Sequence, residues 1–536
     1  MNHMQVFDNV NLFNPADSSW ELSSFSVEDG KVALIGPSGS IPGENRTDLR
    51  GKRVVPGLID CHVHIESSLL IPREFGRLIL SHGVTTAVCD PHEIANVAGT
   101  AGIDFMLGDA NASPADLFFM IPSCVPATPL EIGGAAVTAD DMKKYVGNPR
   151  VLGLGEMMNV PGVLNKDPEV IAKLALFRHI DGHAPQVTGD ALCRYCACGI
   201  STDHECVSAD EAREKIKRGL RILLREGDAA KNVAALTPAV TAETASRCAF
   251  ATDDRHADSL LDEGSIDNCI RQATKAGMPL ETALRLATLS AADIMGLSDR
   301  GLIAPGRIAD FCVLEDSAEF RVADVYKNGI KFVSRHTDAQ CPDVAFPPFI
   351  IPSLSKEDLN LPDGNLKTIE VFPGELITDA VPGTKDADGV NKVICIDRYR
   401  GKKFGVAQVL GLGLRKGAVA SSIGHDAHNI IAAGADDDDL LSAVSAVARA
   451  EGGMAVCIDG KITILPLPAG GLMTCEPYEE VSEKLRALNN EVEKTGAVGH
   501  VFIQLSFLGL TVIPHLKITP RGLFDGDAFT DTGILW

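Results

Sequence analysis

Two histidines one residue apart, in Asp60-Cys-His62-Val-His64, are the most chemically pointed feature of the chain. On a strand, side chains alternate with period two, so both imidazoles face the same way and can share a metal ion. The pair follows an apolar run, Val54 to Ile59, and ionisable residues recur at the ends of later apolar runs. Val151-Leu-Gly-Leu-Gly ends in Glu156; Asp181-Gly-His183-Ala-Pro and Ser201-Thr-Asp-His204 each place a histidine; Ala249-Phe-Ala-Thr leads into Asp253 and Asp254. Singly, each histidine reads as an ordinary core or surface residue. Together, four histidines, a glutamate and an aspartate in this ordered placement point to a metal centre. Imidazole and carboxylate donors suit Fe(II), Mn(II) or Zn(II), and donor type alone does not choose among them.

For these residues to meet, the apolar runs must be neighbouring strands. The runs also include Thr85-Thr-Ala-Val-Cys and Leu117-Phe-Phe-Met-Ile-Pro, and helical patterns lie between them. One runs from Ser208 to Arg218, where Ser208 and Glu211 have the spacing of a capping box. Strand–helix alternation over roughly 240 residues predicts a (β/α)8 barrel, whose chemistry sits at the C-terminal strand ends. The first 55 residues read as short strands punctuated by Gly and Pro, and strands return at Gly306-Arg-Ile-Ala-Asp-Phe-Cys-Val-Leu. The Pro-rich stretch Phe346-Pro-Pro-Phe-Ile-Ile-Pro reads as a linker. Beyond it, strands (Lys392 to Asp397, Met454 to Leu465) mix with helices (Leu440 to Ala450, Glu479 to Glu493), as in a separate α/β domain.

Composition narrows the partners. The chain has 536 residues, enough for three or four domains, with an ordinary 45% hydrophobic and 23% charged content that excludes disorder, collagen and coiled coil as its main state. Its 49 basic and 72 acidic residues give a net charge of −23, which repels phosphate backbones and argues against nucleic acid and anionic membranes as partners. The start lacks the basic-then-apolar layout of a signal peptide, and Val501 to Pro514 is too short to span a bilayer, so a cytoplasmic location is expected. The 14 scattered cysteines then read as reduced thiols. The acidic run Asp436 to Asp439 reads as a solvated loop before a helix. His64-Ile-Glu66 and Cys193-Arg-Tyr-Cys196 match the two halves of the nucleobase-deaminase zinc motif, but they lie far apart. No Pro precedes Cys193, and Ala191 to Gly199 reads as a helix whose cysteines are small core residues. Gly411-Leu-Gly-Leu-Arg lacks the context of a nucleotide loop.

The constellation resembles the amidohydrolase superfamily, with H-x-H on barrel strand one, a bridging group on strand four, histidines on strands five and six and an aspartate on strand eight. Many members bridge two metals with a carbamylated Lys; Val151 to Met158 contains no Lys, so the resemblance gives that role to Glu156. Gly301-Leu-Ile-Ala-Pro-Gly-Arg-Ile-Ala-Asp310 resembles the segment by which such chains leave the barrel and rejoin a small N-terminal sheet. The implied α/β architecture is a β-sandwich from residues 1–55 and 299–345, a (β/α)8 barrel over 56–298 and a C-terminal α/β domain over 346–536.

Longer matches narrow the family. His64-Ile-Glu-Ser-Ser, Asp90-Pro-His-Glu-Ile-Ala-Asn-Val, Gly153-Leu-Gly-Glu-Met-Met-Asn, Asp181-Gly-His-Ala-Pro, Thr252-Asp-Asp-Arg-His and Leu465-Pro-Leu-Pro-Ala-Gly-Gly-Leu-Met are similar to microbial adenine deaminases. That family hydrolyses adenine to hypoxanthine and ammonia, a purine-salvage reaction, at a centre of two divalent ions, Mn(II) or Fe(II) before Zn(II). The resemblance implies His62, His64, Glu156, His183, His204 and Asp253 as ligands, Asp253 doubling as the proton shuttle. Asp254 would meet the purine edge, and Glu93, with His92 in Pro91-His-Glu, would protonate a ring nitrogen or form a loop hydrogen-bond network. Arg225 would support His204 or the substrate. In the C-terminal Ser421-Ser-Ile-Gly-His425-Asp-Ala-His428-Asn, Asp426 either caps a helix with its histidines in water, or the turn covers the barrel mouth and His425 and His428 contact substrate. A homo-oligomer is expected. The competing readings are a dihydroorotase-like cyclic-amide hydrolase, disfavoured by the missing Lys and the Asp253-Asp254 pair, and a non-catalytic purine-binding relative.

Overall fold

The computed structural model describes residues 4–316, 319–335, 344–372, 377–385 and 387–536. Eight parallel strands form the central barrel: β1 (Leu58–Val63), β2 (Val84–Cys89), β3 (Asp116–Ile121), β4 (Val151–Met157), β5 (Ile180–Gly182), β6 (Thr202–Asp203), β7 (Arg221–Arg225) and β8 (Cys248–Ala251). The strands β1 to β5 pair in sequence order, as do β6 to β8. Ser201 N donates to Ile180 O (3.0 Å) between β5 and β6, and a parallel bridge from Val63 to Asp253 closes β8 onto β1. These strands are apolar on both faces because helices cover them outside and side chains fill them inside, as parallel pairing requires. Two glycines in β4 answer to close approach: a Cβ on Gly153 would meet His179 O at 2.1 Å, and one on Gly155 would meet Asp90 Oδ2 at 2.1 Å.

The helix after β6 runs from Ala209 to Lys217 with Ser208 as its N-cap, accepting from Glu211 N. The expected capping box is only half present. The Glu211 carboxylate accepts instead from Gln186 N and Val207 N and pairs with Lys215, which outbids the Ser208 N–H.

A small eight-stranded sheet is built by two distant segments. Strands Gln5–Asn14 to Arg53–Pro56 join Phe311–Asp316, Arg321–Lys327 and Ile330–Lys331, with Arg53–Pro56 pairing antiparallel to Phe311–Asp316. Phe7, Phe25, Phe311 and Tyr326 form its aromatic centre, with ring centroids 4.4 to 5.2 Å apart.

The C-terminal region holds a second eight-stranded sheet, Leu366–Val371 to Lys461–Pro466, with helices Asp437–Arg449, Tyr478–Thr495 and Val501–Phe507. The run expected as one strand from Met454 to Leu465 is a hairpin, Gly453–Ile458 and Lys461–Pro466. Its turn residues Asp459 and Gly460 both have positive φ, the Asp-Gly signature of a two-residue turn. The acidic run is not a loop: Asp436 caps the helix and Asp437 to Asp439 form its first turn, where carboxylates meet the helix dipole. The Pro-rich stretch is packed rather than free, with Phe346 edge-on to Phe105 (5.2 Å) and Phe349 beneath Arg398 (4.3 Å).

Two cysteine expectations are corrected. Cys475 is disulfide-bonded where a reduced thiol was expected, whereas twelve others are free thiols. Cys193 is exposed and Cys196 half-buried, because the helix Gly189–Cys196 turns Leu192 and Tyr195 to the core instead. Among the described residues, no helix is long and apolar enough to cross a membrane.

Candidate active site

The site lies where β1 and β8 meet. His62 and His64 project from one face of β1, and each is oriented through its Nδ1: His62 donates to Asp181 Oδ2 (2.9 Å) and His64 to Asp90 O (2.9 Å). With both Nδ1 hydrogens committed, the two Nε2 lone pairs converge at 3.1 Å, an arrangement that calls for a cation between them. Strand β8 ends at Ala251, and Asp253 leaves it at φ +58 while its N–H donates to His62 O (3.0 Å). That turn brings Asp253 and Asp254 to the same side, where both approach His64.

Glu156, at the end of β4, divides its two oxygens between the histidine pairs. Oε1 faces His64 Nε2 (3.3 Å) and His62 Nε2 (3.9 Å); Oε2 faces His183 Nδ1 (2.6 Å) and His204 Nε2 (3.3 Å). Asp253 Oδ1 faces His64 (3.1 Å) and His62 (3.6 Å), and the His204 ring stacks on His62 at 4.0 Å. The donor atoms of His62, His64 and Glu156, of Glu156, His183 and His204, and of His62, His204 and Asp253 lie within 4.8 Å of one another in each set. The donor set therefore fits divalent cations, with a Glu156 oxygen facing each histidine pair. Burial opposes ionisation of Glu156, but the His183 imidazole and its neighbours hold its carboxyl well below the usual range. The same contest, burial against His62, His64 and Arg225, keeps Asp253 ionised. For Asp254, burial and the adjacent Asp253 charge both push upward.

Residues that the sequence reading did not single out hold these ligands. Asp90 Oδ2 accepts from Glu156 N (2.9 Å), while the Tyr195 hydroxyl accepts from His183 N and donates to Met157 O (3.1 and 2.7 Å). Lys215, fully buried, pairs with Asp203 (2.9 Å) beside His204. Arg225, expected to support His204 or the substrate, reaches His204 only through Glu205, whose Oε1 faces His204 Nε2 (3.5 Å). It donates to Asp253 Oδ2 (2.8 Å) and pairs with Glu205, because it ends β7, next to β8. Asp90 and Asp181 were legible in principle: each is a carboxylate at the end of a barrel strand, and Asp181 shares a face with His183 by the period-two rule.

A second cluster stands beside the first. Glu93, at the start of helix His92–Ala98, lies among three imidazoles: His92 Nε2 at 3.2 Å, His425 Nδ1 at 2.6 Å, and His428 Nε2 in closer contact still. His92 Nδ1 also reaches toward Glu156 Oε1 (3.4 Å). His425, Asp426, His428 and Asn429 are all buried, so the C-terminal turn is packed on the barrel and is not a solvated connection. Asp426 caps no helix; that place belongs to Asp436. The His425 ring stacks on Phe507 (4.5 Å, 18°), and Asn429 Nδ2 donates to Ile132 O of the barrel loops (2.8 Å).

Between the barrel and the C-terminal region lies a cleft lined by Ser67, Asp254, Ile423, His425, Phe502 and Phe507 among others. Ser67 Oγ donates to Asp254 Oδ1 (2.5 Å) and fixes that carboxylate at its wall. The arrangement can hold two cations, a proton acceptor and a flat, apolar-sided molecule with polar edges.

Known proteins are similar to this chain over nearly its whole length. The amidohydrolase family model matches residues 53–238 and 200–331, and the adenine deaminase C-terminal domain matches 375–530. An adenine deaminase of Methanoculleus marisnigri is 48% identical over 95% of this chain and 98% of its own length. One from Methanoregula boonei is 46% identical over 99% and 96%. Among solved structures, a β-aspartyl dipeptidase from Fervidobacterium islandicum AW-1 superposes with a TM-score of 0.47 at 17% identity, over 63% of this chain and 100% of that one.

Proposed function

Since this chain belongs to the adenine deaminase family, we propose that it hydrolyses adenine to hypoxanthine and ammonia, with the cleft at Asp254 and His425 as the purine site. The observation that carries the reading is the division of the Glu156 oxygens between two histidine pairs, in a chain whose cleft at Asp254, the neighbour of His64, is walled on its other side by the segment that matches the adenine deaminase C-terminal domain.

His62, His64, Glu156, His183, His204 and Asp253 would hold two divalent ions; the donor types suit Mn(II), Fe(II) or Zn(II), and the resemblance to the family favours Mn(II) or Fe(II). When bound, such ions lower the pKa of water so that a strong nucleophile is available near neutrality. The protein's own groups do the rest. Asp253, ionised and steadied by Arg225, accepts the proton of the attacking oxygen and passes it to the departing nitrogen. Asp254, pinned by Ser67, meets the purine edge. The Glu93 cluster manages the proton at the ring nitrogen next to C6. Phe502 and Phe507 supply apolar wall for a flat base and keep water away.

The test is ammonia release from adenine by protein loaded anaerobically with Mn(II) or Fe(II). Turnover of adenine with none of dihydroorotate or hydantoin is expected; the reverse preference would replace this reading with a cyclic-amide hydrolase.

A further inference from the structure

Adding oxygen at C6 of adenine moves the electron pair of the C6=N1 bond onto N1, and that nitrogen needs a proton as the charge arrives. Two groups of the second cluster are placed to handle it. Glu93 is buried among three imidazoles and does not line the cleft, whereas His425 does. From this placement we propose that His425, carried by the C-terminal domain, is the catalytic acid that protonates the ring nitrogen, and that Glu93 is its positioning residue. The proposal rests on the adenine-hydrolysis reading and assigns one of its steps.

The geometry is that of an oriented imidazole. Nδ1 of His425 is committed to Glu93 Oε1 (2.6 Å), so Nε2, at the other end of the ring, is the nitrogen available to a bound base. Stacking on Phe507 at 4.5 Å and 18° fixes the ring plane. A hydrogen bond from His425 N to Ser506 O (2.9 Å) ties the turn to the helix that carries Phe507. Asp254 lines the same cleft, so a purine held at its edge by Asp254 meets the His425 ring.

The charges agree. Burial opposes ionisation of Glu93, but His425, His428 and His92 outweigh it and hold the carboxyl well below its ordinary value, which leaves Glu93 no proton to give. Burial likewise works against a charged His425, yet Glu93 holds it up to about 9, so near neutrality it is an imidazolium. For His428 burial wins and brings it down to about 4, so it stays neutral. The titratable and charged groups around His425 are Glu93, His92 and His428 of the cluster, Asp254 and Asp426, with Asp228, Arg255 and His256 along the cleft and Glu131 on the opposite side.

The step balances. The His425 N–H bond breaks and N1–H forms while a C–O bond forms at C6 and the C6=N1 pair moves to N1. On collapse, the C6–N bond breaks and the amine departs as ammonia, with the proton relayed by Asp253. The C6 hydroxyl becomes a carbonyl, and the proton it releases restores the His425 imidazolium. One hydrogen of water ends in ammonia; the other replaces the one left on N1 of hypoxanthine.

The experiment is the pH profile of kcat and kcat/KM on the metal-loaded full chain, with metal content and melting temperature alongside. Wild type should lose kcat/KM above about pH 9, where His425 deprotonates. His425→Gln should lose kcat at least 100-fold, keep KM within a few-fold, lose the basic limb, and retain wild-type metal content and melting temperature; His425→Asn repeats the test should Gln disturb packing. Glu93→Gln should move the basic limb down by at least one pH unit and recover to within tenfold of wild type near pH 6, because the donor remains but its carboxylate is gone. Glu93→Gln as inactive as His425→Gln at every pH would make Glu93 the acid and overturn the proposal. So would near-wild-type turnover by His425→Gln, or loss of a third metal ion per chain in that variant. Failure of the wild-type chain to deaminate adenine at all would instead sink the underlying reading, and the proposal with it.

Discussion

Glu156 is the residue at which the two histidine pairs meet, and its substitution should be read in metal as well as rate. Glu156→Ala removes both oxygens that face the imidazoles, so bound metal should fall below one ion per chain and adenine turnover should disappear with it, checked by elemental analysis of dialysed protein. The adjacent aspartates should separate by kinetic constant. Asp253→Asn should lower kcat about 100-fold or more at similar KM, because proton transfer is lost. Asp254→Asn should raise KM as well, because Asp254 lines the cleft and Asp253 does not. Equal, near-wild-type constants for both would refute these roles. The residues whose donor atoms converge were legible in the sequence because strand periodicity and strand-end placement are local rules. Asp181 and the Asp90 carbonyl, which orient them, depend on which strand lies next to which, and Ser67 reaches Asp254 only after the barrel closes β8 onto β1. The cluster around Glu93 was legible only in halves: Pro91-His-Glu and the His425/His428 turn were each conspicuous, but more than 300 residues of chain hide their meeting (|i−j| = 332).

At the scale of elements, the short helix Val501–Phe507 sets what the cleft accepts. Phe502, Ile503, Ser506 and Phe507 line it, so a base has a wall where a nucleoside would need room for ribose. Free adenine should be preferred over adenosine by at least 100-fold in kcat/KM, measured on the same metal-loaded preparation; comparable values would mean that this helix stands elsewhere when substrate binds. Regular elements with strong periodicity were readable, among them the barrel strands and the helices near 440 and 480. The failures were of two kinds. Asp436 to Asp439 carries charge that looks solvated, yet its carboxylates cap a helix, and Asp439 accepts from Asp459 N and Gly460 N (2.9 and 2.8 Å), a partner pair set by the hairpin. The hairpin itself was missed because the apolar run Met454 to Ile458 and the strand-like alternation Lys461 to Leu465 outweighed the turn signal of Asp459-Gly460.

For the whole molecule, the important fact is how firmly the C-terminal domain is fastened to the barrel it completes. Arg77, on the first barrel helix, pairs with Glu74 (2.7 Å) and with Glu479 of the long C-terminal helix, and lies over the Tyr478 ring at 4.0 Å. Thr474 N donates to Leu69 O (2.8 Å), just past the His62 strand. Arg77→Ala should destabilise the chain by up to about 3 kcal/mol, because Glu74 stays buried while Glu479 regains water; denaturant unfolding checks this, and an unchanged midpoint would show the fastening to be idle. Such a domain does not swing freely over the site, which suits a residue that must hold its aim. The small sheet carries a different consequence, one of timing during synthesis. Arg53–Pro56 finds its neighbour Phe311–Asp316 roughly 255 residues later (311 − 56). At typical elongation rates, the strands holding Phe7 and Phe25 wait about 10–50 s for the rings that seal them. Through that interval, the growing polypeptide displays an open strand edge and an aromatic surface, an invitation to chaperones and to proteases. On ribosome-bound chains halted before the return strands emerge, protease should cut within residues 5–37, and in the finished chain it should not; equal resistance would mean that the early strands find shelter before their permanent neighbour is made.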